Sequence, residues 1–393
     1  MPIKIASIIH TLNTEWGGPV KAILDQNIYF HQKKYLAKII VLDNKNTISK
    51  YFPNKISITY LGRSFLAKIN FLGINKFNIN FSFFFWLIKN RNKFDIFILH
   101  GIWDFKNIIA RLIIKKKYYV FIHGNLDPYE WKNFFKGTKK RIYWFLVEKI
   151  NLINAKAILF TNKVEKKLAD KTFVNTSGIK SIIVNYGITV PKCNNIICSR
   201  AFFKTYLFLK NKEYYLFMGR IDKKKGCDIA IRCFKSLGNN FKSNLVVVGD
   251  YNNETGEKLK KLLLALGLKH KVFFLGHLID DLKFGAIINS KAMVLPSYSE
   301  NFGISLMESL AFGKPVLTTF KVNTYQTILD YNAGYITNTN LNSFANIIKK
   351  FENLGQERKL KMSKNAKNCF EEKFNLLNKK SFIKEFDNIN QKN

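Results

Sequence analysis

Short, continuous apolar runs recur along this chain, and each is followed by a loop and a longer helical pattern. A first series reads "KIASIIH", "AKIIVL", "FDIFILH", "YYVFIHG", "AKAILFT" and "SIIVN"; a second reads "YYLFMG", "NLVVVGD", "KVFFLG" and "KAMVLPS". Strands that are apolar without alternation are buried on both faces, which calls for parallel sheets with helices packed on each side. Between the series lies "TVPKCNNIICSRAFFKTYLFLKNKE", polar and less regular, which reads as a connection. At 393 residues the chain exceeds one ordinary core of about 150 residues. The expected class is therefore α/β with two doubly wound, Rossmann-like domains. Residues 1–188 form the first and 214–370 the second, with a linker at 189–213 and a charged helical tail at 371–393.

Composition narrows the partners. Hydrophobic residues make up 47% of the chain, enough for packed cores, while the formal charge is +37. Such charge invites a nucleic-acid reading. However, Lys, Asn, Ile, Phe and Tyr share A/T-rich codons, and the lysines are scattered rather than gathered, so no specific nucleic acid is expected. An anionic membrane surface is the better candidate, through basic and aromatic segments such as "KKRIYWFLVEKI" at 139–150. The five cysteines, Cys193, Cys198, Cys227, Cys233 and Cys369, show no CxxC spacing and read as reduced thiols without a zinc site. "MPIKIASIIHTL" reads as a first strand rather than a signal peptide. No run reaches the ~18–20 apolar residues of a spanning helix, and "FSFFFWLI" at 81–88 reads as the face of a core helix. These features imply a cytoplasmic protein, peripheral on the membrane if it touches one.

In open parallel sheets ligands bind beyond the carboxyl ends of the strands, so the following loops carry the candidates. After the first strand, "TEWGGPVKAI" sets Gly17 and Gly18 before a helix opened by Pro19. Backbone amides there can hold an anion, although Gly-Gly before a helix also serves as an ordinary turn. After "YYLFMG", the loop "GRIDKKKG" places Arg220 at the strand end and Lys225 before Gly226. Cations at that place can neutralise a diphosphate; Lys223 and Lys224 read as solvated charge. His100 and His123 each end an apolar strand before a glycine, as cleft groups or structural ones, and Asp127 and Glu130 either meet a polar acceptor or cap the next helix.

"SENFGISLMESLAFGKPV" holds two carboxylates, Glu300 and Glu308, on either side of a helix start near Phe302–Gly303. Glu308 falls about 7.5 Å along that helix at 1.5 Å per residue. The helix amides can take a phosphate or sugar oxygen, while carboxylates accept from hydroxyls and repel phosphate. Polyol ends flanking a diphosphate, as in a nucleotide sugar, suit both. Singly, Glu300 could be a helix-start charge and Glu308 a satisfied core acid.

Taken with "FMGRIDKKKG", "HGNLDP" and "WGGP", this segment resembles the retaining glycosyltransferases of family 4, and the match runs over nearly the whole chain. The resemblance implies a GT-B fold, two Rossmann-like domains facing a central cleft, with the nucleoside-diphosphate sugar on the C-terminal domain and the acceptor on the N-terminal one. It assigns Arg220 and Lys225 to the diphosphate and the leaving group, and Glu308 to the ribose. Glu300, with Asn301, Phe302 and Gly303, would hold the donor sugar and phosphate. His123 would contact the transferred sugar, Gly18 would offer its amide to the diphosphate, and Leu278 would meet the base. "VNYGI" at 184–188 departs from the family's Pro-Asn-Gly turn and leaves Asn185 without an assigned role. The chain has no Asp-x-Asp pair, so neither a metal nor another cofactor is expected. "HGIW" beside "HGNLDP" resembles members that build cell-surface polysaccharides on glycan or lipid-linked acceptors. The competing functions are a sugar-nucleotide epimerase, a sugar-phosphate synthase and a non-catalytic nucleotide-binding scaffold.

Overall fold

The structure, a computed structural model, describes residues 2–45, 48–62, 80–131, 138, 141–172 and 175–383. It forms two compact units. Unit 1 has a seven-stranded sheet in the order β3-β2-β1-β4-β5-β6-β7. These strands are β1 (Lys4–Ile9), β2 (Leu36–Val41), β3 (Ser57–Tyr60), β4 (Ile96–His100), β5 (Tyr118–Phe121), β6 (Ala157–Phe160) and β7 (Ser181–Ile183). Unit 2 has a six-stranded sheet in the order β10-β9-β8-β11-β12-β13. Its strands are β8 (Tyr214–Met218), β9 (Asn244–Val248), β10 (Val272–Gly276), β11 (Met293–Leu295), β12 (Val316–Thr319) and β13 (Gly334–Thr337). Both sheets are parallel, as the continuous apolar runs require, and β4, β5 and β8 are buried at every residue.

The strand order turns around between β1 and β4 in unit 1 and between β8 and β11 in unit 2. Such switch points open a crevice beyond the carboxyl ends, because neighbouring connections leave to opposite faces. The loops there are the ones carrying Gly17–Gly18, His100, Arg220–Gly226 and Glu300–Gly303. Behind the first switch point Ile8, Phe97, Leu99, Val120, Ile158 and the fully buried Trp144 pack as one cluster. Each such side chain contributes about 1.5–3 kcal/mol of burial, so the strand ends are held firmly.

Two segments depart from the expected boundaries. The 189–213 stretch contains a helix, Asn195–Thr205, that is part of unit 2 and packs on the helix Asp280–Ile288. Gly285 permits the approach: a Cβ there would lie 2.4 Å from the Cys198 carbonyl oxygen. Of the 371–393 stretch, residues 384–393 lie outside the described residues, and 371–383 are not one helix. A helix over Gln356–Cys369 ends in a π turn, Phe370–Phe374, and a 3-10 turn, Leu376–Asn378; residues 379–383 belong to unit 1. Phe382 packs there against Tyr29, Phe30 and Phe121, with ring centroids at 6.4, 5.8 and 6.3 Å. Asn185 secures it, donating from its side chain to the Ser381 carbonyl at 2.7 Å and from its backbone to Phe382 at 3.1 Å. Conversely, Ser49–Tyr51 belong with unit 2, where the Tyr51 hydroxyl and the Lys50 ammonium both engage Asp281.

The helix Phe81–Asn90 buries Phe83 and Leu87 but leaves Phe81, Phe85 and Ile88 exposed, so only one of its faces belongs to the core. No helix among the described residues is long and apolar enough to cross a membrane.

Candidate active site

In unit 2 the site grows from two loops locked together. Strand β8 leaves the sheet at Gly219, and the chain turns through Arg220 to a 3-10 turn, Lys223–Lys225, that ends on Gly226 in the left-handed region at φ 70°. A Cβ on Gly226 would lie 2.2 Å from the Pro296 carbonyl oxygen, so only glycine fits against the loop leaving β11. The Tyr298 amide donates to the Lys224 carbonyl at 2.8 Å and closes the clamp. Beyond it, the Glu300 amide donates to Lys321 and its carbonyl accepts from Asn323, both at 2.9 Å. Glu300 is thereby fixed at the backbone before its side chain acts.

The Lys225 ammonium and the Glu300 carboxylate form an ion pair, each side chain only 15% exposed. Burial works to raise the Glu300 carboxyl; Lys225, then Lys224 and the Gly303 amide, outweigh it and hold the acid below its ordinary range. Gly303, at φ 79°, starts the helix Ile304–Ala311, and Glu308 is the fifth residue of that helix, buried and accepting from the Lys283 ammonium at 2.8 Å. Asn301 accepts from the Asn323 side chain at 3.3 Å, and Phe302 is buried edge-on against Phe374 at 5.7 Å. Leu278 is buried just past β10. Arg220 differs from all of these: its side chain is 58% exposed and its nearest acid, Asp222, is 3.6 Å away, leaving it able to turn toward a ligand.

Unit 2 therefore brings Lys225, Glu300 and Gly303 into direct contact and sets Glu308 on the helix they begin. Sequence reasoning missed Lys283, because a lysine inside "DDLKFGAII" carries no sign that its head turns to a carboxylate far along the chain.

In unit 1, Gly17 takes φ 71° and Gly18 opens the helix Gly18–Gln32 with Pro19 behind it. Residues ending β4 and following β5 meet: His100 Nδ1 and His123 Nε2 are 2.8 Å apart, with the rings stacked at 5.0 Å. Burial, then neighbouring positive charge, pushes His123 down to about 3 and His100 well below its ordinary value. Both rings are thus neutral at physiological pH. His123 itself sits at φ 49°, and the amide of the next residue, Gly124, donates to the Glu165 carboxylate at 2.6 Å. Asp127 accepts from the Tyr129 amide at 2.8 Å, a cap on the 3-10 turn Pro128–Trp131, while the side chain of Glu130 lies outside the described residues. Among the described residues no cluster of His, Cys, Asp and Glu could hold a metal ion.

Residues 199–369 match the sequence profile of the family described as glycosyl transferases group 1. The α-1,3/1,6-mannosyltransferase ALG2 of Dictyostelium discoideum is 28% identical over 182 residues, covering 42% of this chain and 43% of its own length. An uncharacterized 41.2 kDa protein in the cps region of Klebsiella pneumoniae is 24% identical over 353 residues, 84% of this chain and 86% of its length. This chain thus spans less than half of the mannosyltransferase but most of the Klebsiella protein. Among solved structures, Anabaena HepE in complex with UDP-glucose superposes with a TM-score of 0.74 at 14% identity, over 100% of each chain. The fold is the GT-B architecture, with parallel sheets of seven and six strands. The group 1 glycosyl transferase profile falls within the second unit, and it is there that this chain is similar to that family.

Proposed function

We propose that the chain transfers a sugar from a nucleoside-diphosphate sugar to a glycan or lipid-linked acceptor, with retention at the anomeric carbon and without a metal ion. The observation that carries this reading is the Lys225–Glu300 pair at the start of the helix Ile304–Ala311, with the exposed Arg220 on the adjoining loop. Lys225 and Arg220 take the diphosphate, whose negative charge grows as the glycosidic bond opens. Preorganised positive charge at the departing oxygen is the main catalytic contribution. The acceptor hydroxyl attacks on the face the leaving group vacates; its oxygen bonds to the anomeric carbon, and its proton passes to the departing phosphate oxygen. Glu300 and the Asn301–Gly303 backbone hold the sugar, Glu308 the ribose, and Leu278 the base. To His123 and Gly18 we assign the transferred sugar and the diphosphate, as the resemblance implies.

The UDP-glucose bound by HepE supports a nucleotide-sugar donor, and the resemblance of "HGIW" and "HGNLDP" supports assembly of a cell-surface polysaccharide. A cytoplasmic site at the membrane face fits that role, and unit 1 offers exposed Ile142, Phe145 and Leu146 beside Arg141 for the contact.

The test is transfer by the purified chain from a panel of nucleotide sugars, in the presence of a strong chelator, with the new linkage read by NMR. Released nucleotide coupled to a retained anomeric configuration is expected. An inverted linkage, or activity abolished by the chelator and restored by magnesium or manganese, contradicts the proposal. Free sugar or an epimerised nucleotide without a glycan product points instead to an epimerase.

A further inference from the structure

The helix Asn195–Thr205 has two apolar faces, and only one of them is used inside unit 2. Cys198 and Phe202 are buried on the side packed against Asp280–Ile288. At about 100° per residue, Ile196, Ile197, Arg200, Phe203 and Lys204 fall within an arc of about 120° on the opposite side. Ile196 is 62% exposed, Ile197 55%, and Leu207 on the following turn 69%. Ile196, Arg200, Phe203, Lys204 and Leu207 line a groove of about 510 Å³ with Lys210 at its end, and Ile197 lies exposed beside it. From Val190 to Lys212 the chain contains Lys192, Arg200, Lys204, Lys210 and Lys212 and no acidic residue at all.

We propose that this face docks unit 2 on an acidic lipid bilayer. Isolated exposed aliphatics need no explanation, but a contiguous apolar strip whose charged neighbours along the segment are all cations does. Bare isoleucine and leucine side chains suit the acyl boundary, while Arg and Lys stems run along the apolar strip and lift their charges to lipid phosphates. Nucleic acid would find the cations but has no use for the aliphatics. The helix contributes none of the residues assigned to transfer, so this inference does not rest on the transfer reading.

Flotation of the full-length protein with phosphatidylglycerol–phosphatidylcholine vesicles, and with phosphatidylcholine alone, tests it. The protein is expected to float with the acidic vesicles only, and less so as salt rises. The R200E/K204E and I196S/I197S variants, which touch exposed positions, should melt as wild type and each lose about tenfold or more of the partitioning, the scale set by two cations near an anionic surface. Wild-type partitioning in both variants overturns the proposal, including the case where only F145S/L146S in unit 1 abolishes binding. Equal binding to neutral vesicles, or none to either, also overturns it. So does a concentration-dependent dimer that I196S/I197S dissolves while vesicle binding persists, because the strip would then cover a second copy.

Discussion

Lys225 and Glu300 neutralise each other before any donor arrives, and this makes the two cations of the loop unequal. Arg220→Ala removes an exposed group, so stability should shift by no more than about 0.5 kcal/mol while turnover falls about 10²–10³-fold. Lys225→Ala should lose turnover similarly and also cost roughly 3 kcal/mol, because Glu300 would keep its nearly buried charge with only Lys224 and the Gly303 amide to offset it. Urea unfolding alongside steady-state rates separates the two; near-normal turnover in both variants would remove the diphosphate assignment. The glutamates should fail differently as well. Ribose hydroxyls persist unchanged through the reaction, so Glu308→Gln should weaken donor binding by about tenfold with little change in kcat. On the assignment proposed above, Glu300→Gln alters the group at the reacting end and also releases Lys225, so kcat should fall by more than the donor KM rises. Calorimetry with donor, beside kinetics at saturating acceptor, decides; the reverse pattern would exchange the two roles.

Elements set the tolerance of each loop. Gly226→Ala asks for φ near 70° with a side chain, worth about 1–3 kcal/mol of strain, and drives its Cβ into the Pro296 carbonyl. Unfolding of this variant should come at clearly lower denaturant than wild type, and an unchanged midpoint would mean the clamp is looser than its geometry. The carboxyl ends of β4 and β5 carry an opposed pair of pH effects. Burial holds His100 and His123 below 6.5, so below that pH the unfolded chain takes up protons the folded one refuses, and stability falls on acidification. Glu148 ends the π turn Trp144–Glu148 and reaches the segment after β4, accepting from the Asn107 side chain at 3.0 Å and the Trp103 amide at 3.3 Å. Burial pushes it up to about 7 from an ordinary 4.5, so between those values the folded chain keeps a proton the unfolded one has lost, and acidification stabilises it. Glu148→Gln removes the second effect. Its stability should therefore drop more steeply than wild type between pH 7 and 5, by about 1.4 kcal/mol per pH unit for one proton. Parallel pH profiles would refute this. Most of these elements were legible because period and burial agree: "YYVFIHG" can only be a covered strand, and the loops after β8 and β11 follow from it. The His100–His123 contact was not, since two strand ends reveal their register only once the sheet order is known. The helix Asn195–Thr205 was hidden by its own cations, which mimic a linker.

At the scale of the molecule, the two sheets follow from two series of strands, whereas the exchange of segments between units does not. Nothing in "KKSFIKEF" distinguishes a tail from a closing segment; Phe382 earns its place only against Tyr29, Phe30 and Phe121, which the sequence sets far away. Phe382→Ala should cost about 3–5 kcal/mol, the ordinary loss for a buried phenylalanine, and lower the unfolding transition of unit 1 without moving that of unit 2. Tryptophan fluorescence reads unit 1 alone, because Trp16, Trp86, Trp103, Trp131 and Trp144 all lie there, and far-UV circular dichroism adds unit 2. A wild-type tryptophan transition in the variant would contradict the packing. The same segment reverses the usual timetable of synthesis, in which the domain made first folds first. Tyr29 donates its hydroxyl to the carbonyl of Lys380, which is translated 351 positions later. The sheet of unit 1 is therefore expected to stay incompletely covered until residues 379–383 have followed unit 2. A purified chain truncated before residue 379 should show a protease-sensitive unit 1 beside a protected unit 2, so the piece translated first is closed by one translated after its neighbour.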